Sequence, residues 1–514
     1  MTSDRRPAPV WLAAVAAAAS GPLNAAAFPA LGWWPLIFVG TGLMLWSLAG
    51  RTMGSAFLLG LLGGATFWGT HIFWLTIYLG PVPWLALAGL QTVFFAIGSV
   101  LLALVWRWVP AIWPGRSGRL VLLPAVLGAV WSLRESITST WPYGGFSWGR
   151  LAFSQSESPF APLVAWLGVS GLTFVLAWLS AILVQAVRES GIGVPLRGIV
   201  ASGALVLVLA VPAWPVAADG TMRVAAVQGD SDAGLFAQHV PGQTLQDHLD
   251  GTIPLFGQRV DVVVWPENAS DLNPLVHPEA ARALDYVTEG MHAPLVTGTI
   301  TSDAEGRTYN SLLLWEAGKG AVDQYDKIHP VPFAEYLPDR AFWYPFAPAL
   351  FDLVPRDYTI GTRDNVFQIG DVTAGLAICF DIVDDALIRQ MIADGAQVIL
   401  APTNNADFGH TEENVQQLAI ARLRGIETGR SVVQVSTVGV SAIMAPDGST
   451  IARLPIFTPG SMVEPVPLSR TTTPATVLGG RVDGVVGAFG LAALALGGLA
   501  SGGRLASGNR RRHG

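Results

Sequence analysis

For its first 215 residues the chain carries only four acidic side chains, Asp4, Glu135, Glu157 and Glu189, and no lysine. Sixteen of its 19 tryptophans lie in the same stretch. Residues 216–468 instead hold 32 acidic residues, both lysines and the one cysteine. A water-soluble core does not tolerate two hundred residues so poor in charge, and the mean hydropathy of the chain is high at +0.46. The first part therefore belongs in a bilayer and the second in water.

A helix of about 20 apolar residues crosses the ~30 Å hydrocarbon layer. Such runs lie near 9–28, 32–50, 55–78, 84–106, 119–134, 160–187 and 197–215, with an eighth near 483–502. Arg5-Arg6 ahead of an Ala-rich run also fits a signal peptide, but that run passes directly into a second apolar span, which favours its retention. With a cytoplasmic N-terminus, the inside segments carry Arg5, Arg6, Arg51, Arg107, Arg116, Arg119, Arg188, Arg197, Arg504, Arg510, Arg511 and Arg512. The outside segments carry Arg134, Arg150, Arg470 and Arg481. This positive-inside bias sends residues 216–468 to the outer face after seven crossings. The expected domains are a membrane domain over 1–215, a polar domain over 216–468, and a linker, eighth span and basic cytoplasmic tail over 469–514. With 32 acids against two lysines, the polar domain is no candidate for nucleic-acid binding.

The polar domain mixes strand-like and helical patterns, which favours sheets covered by helices. Strand-like runs are Met222–Gln228, Val260–Trp265, Pro294–Ile300, Ser311–Trp315, Thr373–Cys379, Gln397–Ala401, Ser431–Val438 and Ser441–Ala445. The clearest helical pattern is Glu412–Arg430. No Walker loop, HExxH or metal-ligand histidine spacing occurs, so no metal or other cofactor is expected. One GxSxG match, Gly145 to Gly149, falls in a loop of the membrane part. It lacks the strand and helix that a nucleophile elbow needs.

One thiol cannot form an internal disulfide, so Cys379 is either core filler or a nucleophile. It ends a strand-like run and precedes Phe380-Asp381-Ile382. A strand–turn–helix there would put the sulfur at a helix N-terminus, where the backbone dipole favours thiolate. Asp381, Asp384 and Asp385 fit the first turn of that helix. Glu267 follows Val262-Val263-Val264-Trp265-Pro266, a run that sets a carboxylate at the end of a sheet; without a partner, a loop acid or helix cap is the favoured reading. Lys327 is one of two lysines in a chain whose other basic positions are arginine, which suggests a role that arginine does not fill; an ordinary surface lysine is the equal alternative. A base, a cation and a thiol form a complete set for acyl transfer.

Glu after a strand, Lys in the Pro-rich segment Lys327 to Pro338, and Cys after a later strand resemble the nitrilase (carbon–nitrogen hydrolase) superfamily and its αββα sandwich. A multi-span membrane part around such a domain resembles the apolipoprotein N-acyltransferase family. Phe28 to Pro35, Trp141 to Gln155 and Gly168 to Gly171 resemble its membrane segments, while Val264 to Glu267, Lys327 to Pro338 and Ile378 to Asp381 resemble its catalytic ones. The resemblance implies a ping-pong reaction. Cys379 takes a fatty acyl chain from a phospholipid as a thioester and passes it to the α-amino group of a diacylglyceryl-modified N-terminal cysteine of an apolipoprotein. It implies Glu267 as general base, Lys327 as oxyanion support and Glu335, in Pro332-Phe333-Ala334-Glu335, as an orienting carboxylate. Phe380, Asn405, Asp407 and Trp148 are expected to contact substrate, and the protein is expected to be a monomer in the bacterial cytoplasmic membrane.

Two positions depart from the family pattern. Asn404 to Gly409 carries Asp407 where the family usually has Trp, and Asn268 follows the base where Thr or Ser is common. Arg422 and Arg424 read as structural ion-pair partners. Some relatives carry a fused glycosyltransferase, but the chain runs only about 12 residues past its last span, so no such domain is expected. Two other readings stay open. A membrane-tethered amidase using water would share the site without explaining the spans. The other is a non-enzymatic transporter or scaffold with a degenerate outer domain, but ion-coupled transport would need buried charged pairs within the apolar runs, and none is evident there.

Overall fold

The computed structural model describes residues 7–189, 193–231, 234, 240–354 and 357–510. Arg5, Arg6, Arg511 and Arg512, used above for orientation, lie outside the described residues. The chain divides into two compact units, one of Met1–Thr76, Gly80–Ala213 and Leu478–Gly514, the other of Ile77–Leu79 and Trp214–Val477.

The first unit is helical. Its helices are α1 (Val10–Ala27), α2 (Leu36–Leu48), α3 (Met53–His71), α4 (Pro81–Trp108), α5 (Leu123–Thr138), α6 (Val164–Arg188), α7 (Val194–Leu209) and a C-terminal helix, Arg481–Arg510. Among the described residues, five helical stretches are long and apolar enough to cross a membrane. The number is six if the bent pair Met53–His71 and Phe73–Leu79 is one span, and Leu36–Leu48 and Arg197–Leu209 are shorter apolar helices. Small residues bring the backbones together, as apolar surroundings require. A Cβ on Gly60 of α3 would lie 2.7 Å from Ala96 Cα of α4.

A buried charged pair is nonetheless present in this unit, contrary to the sequence reading. Arg134 lies 3.4 Å from Glu135, and both are largely buried. Glu135 also accepts from Trp131 Nε1 at 2.7 Å, Thr173 Oγ1 at 3.1 Å and Leu151 N at 3.2 Å. The Arg134 guanidinium sits 4.2 Å from the Trp131 ring and 4.3 Å from that of Phe95. Sequence neighbours at the end of a span looked like loop charges, whereas the bundle folds both inward. The Gly145 to Gly149 loop lies between α5 and a short 3₁₀ turn, Leu151–Gln155, with no strand before it.

The second unit contains two six-stranded sheets. The first has the order β12-β1-β2-β3-β4-β5. Its strands are β1 (Thr221–Gln228), β2 (Val262–Val264), β3 (Leu295–Ser302), β4 (Thr308–Glu316), β5 (Gly320–Asp326) and β12 (Gly460–Pro467). The second has the order β11-β10-β9-β8-β7-β6. It is built from β6 (Val366–Ile369), β7 (Val372–Leu376), β8 (Val398–Thr403), β9 (Ser431–Ser436), β10 (Ala442–Met444) and β11 (Thr450–Arg453). Within each sheet three neighbouring strands, β1–β2–β3 and β7–β8–β9, run parallel. The first and last strands of the unit, β1 and β12, pair antiparallel from Thr221 opposite Pro467 to Gln228 opposite Gly460.

Side-chain alternation builds the layers. Val262 and Val264 of β2, with Val224 and Ala226 of β1, join Leu376, Val398, Leu400 and Val433 in one core between the sheets. Val263, Ala225 and Val227 point the other way, into a second core with Leu284, Val287 and Met291 of helix α9 (Pro278–Met291), which follows α8 (Gln243–Thr252). On the far side, α10 (Asp385–Ala393) lies over β7 and α11 (Glu413–Thr428) over β9. The result is the αββα sandwich expected from the resemblance. It also directs the C-terminal ends of β2, β5, β7 and β8 to the site residues.

Candidate active site

Four strand ends supply the chemistry. Glu267 leaves β2, Lys327 follows β5 directly, Cys379 lies three residues past β7, and Asn404 follows β8. Glu267 and Lys327 are both buried, and their charged atoms stand 3.3 Å apart. The Lys327 ammonium also lies 2.8 Å from Glu335 Oε2. Glu335 is fixed in turn by the Val331 N–H, which donates to its Oε2 at 2.6 Å.

Glu267 accepts a hydrogen bond from Asn310 Nδ2 at 2.6 Å and from the Asn404 backbone N–H at 2.8 Å. The Asn310 amide reaches Glu335 Oε1 as well, at 3.2 Å, so one buried side chain on β4 spaces the two carboxylates. Gly298 of β3 makes room for this arrangement. A Cβ there would lie 2.5 Å from Asn268 N and 2.7 Å from Glu267 Cα.

Burial raises the proton affinity of Glu267; Lys327 opposes that shift and Glu335 adds to it. Burial alone would lower Lys327, but Glu267, Glu335 and Cys379 hold its ammonium well above the ordinary lysine value. Lys327 therefore stays charged beside a carboxylate able to accept a proton.

Cys379 departs from the sequence expectation. Strand β7 ends at Leu376, and Cys379 opens a five-residue 3₁₀ turn, Cys379–Val383; the α-helix α10 begins only at Asp385. The sulfur therefore does not sit at the N-terminus of α10. Burial pushes the thiol up, Glu267 pushes it further, and Lys327 opposes both. Cys379 is thus held as a thiol, with the Lys327 ammonium as the neighbouring charge that favours its ionised form. Its φ of 50° is a left-handed conformation rare outside glycine, and Asn268, beside the base, has φ 55°. Such strain persists where surrounding contacts enforce it.

The turn is held by Asp381, which is fully buried. Asp381 accepts from Tyr325 OH at 2.8 Å, His329 N at 2.9 Å and Ile378 N at 3.0 Å. Burial raises Asp381 to about 6, against the opposing pull of Lys327 and His329. Asp384 caps α10 by accepting from Leu387 N at 2.6 Å. Arg424 of α11 donates to the Ile382 and Val383 carbonyls at 2.9 and 2.7 Å and pairs with Asp385 and Glu427. Arg422 instead donates to the Gly448 carbonyl at 2.6 Å, so its part is to tie down the β10–β11 turn.

The remaining sequence candidates divide. Phe380 and Asp407 are partly exposed. Asn405 is fully buried and its amide is used internally, so it holds the site from within rather than forming its rim. Trp148 belongs to the helical unit, buried 5.7 Å from Trp74 and stacked 6.3 Å from Phe146. Sequence reasoning missed Asn310 and Gln417. A polar residue inside the apolar strand run Tyr309 to Trp315 was a signal for the first, but nothing distinguished the second from its neighbour Gln416.

A double-sheet sandwich with a buried Glu–Lys pair and a cysteine at its strand ends is a nitrilase-class α/β domain, and the family model for carbon-nitrogen hydrolases matches residues 223–474. The helical part matches the model of the apolipoprotein N-acyltransferase N-terminal domain over residues 20–182. An apolipoprotein N-acyltransferase from Mycolicibacterium smegmatis is 32% identical over 501 residues, covering 91% of this chain and 82% of that relative. One from Photobacterium profundum is 27% identical, covering 90% of each. The chain therefore belongs to the apolipoprotein N-acyltransferase family and is a multi-pass membrane protein. Among solved structures, an amidase from Nesterenkonia sp. aligns at a TM-score of 0.36 and 18% identity, over 50% of this chain and 95% of its own.

Proposed function

We propose that the chain transfers a fatty acyl group from a membrane phospholipid, through a thioester on Cys379, to the α-amino group of an S-diacylglyceryl cysteine at the N-terminus of an apolipoprotein. The observation that carries this reading is the buried Glu267–Lys327 pair facing the one thiol in the chain. The name of the curated relatives supports the substrate class.

In the first half-reaction Glu267 takes the thiol proton as Sγ attacks the ester carbonyl carbon. Lys327 has three N–H groups; two serve Glu335 and Glu267, and the third is directed at the developing oxyanion. The carbon–oxygen bond to glycerol then breaks, and Glu267 returns the proton to the departing alcohol. In the second half-reaction the acceptor amine attacks the thioester carbon and passes a proton to Glu267. The carbon–sulfur bond breaks, and the thiolate recovers that proton. Exclusion of water protects the thioester between the two halves. We assign residues 1–215 and the last span to the bacterial cytoplasmic membrane as eight crossings, with residues 216–468 on its extracytoplasmic face. Phe380 and Asp407 are assigned to the mouth of the site, and the enzyme to a monomeric state.

Intact-mass measurement of the purified protein mixed with phospholipid vesicles tests the reading. The expected result is one fatty-acyl adduct, released by neutral hydroxylamine and absent in Cys379→Ala. Phospholipid cleavage to free fatty acid with no adduct at any time would replace the acyl-transfer reading with a water-using hydrolase.

A further inference from the structure

Gln417, on α11, is buried. Its Nε2 lies 3.5 Å from the Cys379 sulfur. A glutamine amide can present either its N–H or its oxygen, so the question is what fixes its orientation. The answer is a run of buried hydrogen bonds that starts at the Gly439 backbone. The Gly439 N–H donates to Ser436 Oγ at 2.9 Å, and the Ser436 hydroxyl donates to Asn405 Oδ1 at 2.7 Å. That commits Asn405 Nδ2 to the other side, where it donates to Gln417 Oε1 and Glu413 Oε2, both at 2.8 Å. Thr403 Oγ1 lies 3.0 Å from Gln417 Oε1 and also hydrogen-bonds the Cys379 thiol, so its one hydroxyl proton serves either partner. With its oxygen held by the Asn405 amide, Gln417 has its N–H left for the sulfur.

We propose that Gln417 is a catalytic donor to the reacting sulfur, with Asn405 and Ser436 as positioning residues that set its polarity. This rests on Cys379 being the acyl carrier. An N–H aimed at Sγ stabilises the thiolate as it forms in the first half-reaction. It acts again when sulfur leaves the thioester, because negative charge returns to the same atom. The relay runs through fully buried side chains, where an unmade hydrogen bond is most unfavourable and a flipped amide would break several at once.

The test reads the thiol directly. The full-length protein in detergent is alkylated with iodoacetamide across a pH series, and the adduct is counted by mass; one cysteine makes the signal unambiguous. Glu267, Lys327, Glu413 and, on its own turn, Asp381 are the charged groups around the sulfur, and all are unchanged in the variants. Gln417→Leu is expected to move the alkylation midpoint up by about one pH unit, a roughly tenfold slower reaction at any pH well below it. Ser436→Ala, which does not touch Cys379, is expected to shift the midpoint in the same direction by less. If Gln417→Leu does not fold, Ser436→Ala carries the test alone. A wild-type profile in folded Gln417→Leu overturns the donor role. A shift in Gln417→Leu with none in Ser436→Ala overturns the relay. A wild-type thiol that resists alkylation at every pH fails instead at the acyl-carrier reading.

Discussion

At Glu413 the structure buries a carboxylate whose best partner is a neutral amide, Asn405. Burial and the neighbouring Glu267 raise it to about 8 from an ordinary 4.5, against the Asn405 bond. The folded chain then holds this proton more tightly than the unfolded chain does. The associated stability is complete below about 4.5 and is lost as pH rises toward 8. Glu413→Gln keeps an oxygen for Asn405 and removes the titration. Its stability should therefore gain on that of the parent as pH rises through this window, by on the order of 4 kcal/mol at the alkaline end. Denaturant melts at several pH values measure this, and parallel curves for the two proteins would count against the burial argument. Glu413 and Gln417 both lie in a helix that the sequence marks clearly, but their roles were not legible there. A glutamine four residues after a glutamate reads as ordinary helix surface until the sheet beneath it is known. Glu267, Lys327 and Cys379 were legible because each follows a strand or is chemically unusual in this chain.

Among the elements, Gly298 of β3 carries the clearest consequence. A methyl group there would meet backbone atoms of Pro266, Glu267 and Asn268, none of which can rotate away as a side-chain tip does. Gly298→Ala should destabilise the protein by about 1–3 kcal/mol. It should also slow formation of the acyl adduct by more than the folded fraction explains, because the base itself is displaced. Thermal melts with adduct kinetics on the same preparation separate the two effects. The strands beneath this site were read with uneven success, and the pattern is physical. The central strands β1, β2, β3, β8 and β9 are largely buried on both faces, carry apolar runs and were found. The four strands missed, β5, β6, β11 and β12, are the four sheet edges. Edge strands carry polar residues and tolerate proline, as at Pro465 and Pro467 of β12, so their composition reads as loop. The strand before Cys379 was drawn three residues too long, because Ala377 and Ile378 stay apolar and buried after the ladder ends at Leu376.

For the molecule as a whole, arginine placement makes the orientation testable. Ala304, exposed in the β3–β4 turn, can be replaced by cysteine in a Cys379→Ala background, leaving one thiol in the chain. A membrane-impermeant maleimide should label Ala304→Cys on intact spheroplasts without lysis. Labelling that requires lysis would invert the topology. The segregation of charge visible in the sequence anticipated both a helical and an α/β unit, but not that the latter enters and leaves through adjacent strands. Thr221 of β1 faces Pro467 of β12, and Asp219 N donates to Leu468 O at 2.8 Å. The two cut points of the unit are therefore about one strand spacing apart, near 4.8 Å. Residues 221–467 form a cassette whose two ends lie side by side in one sheet, so the pairing that completes the sheet also closes the chain into a loop.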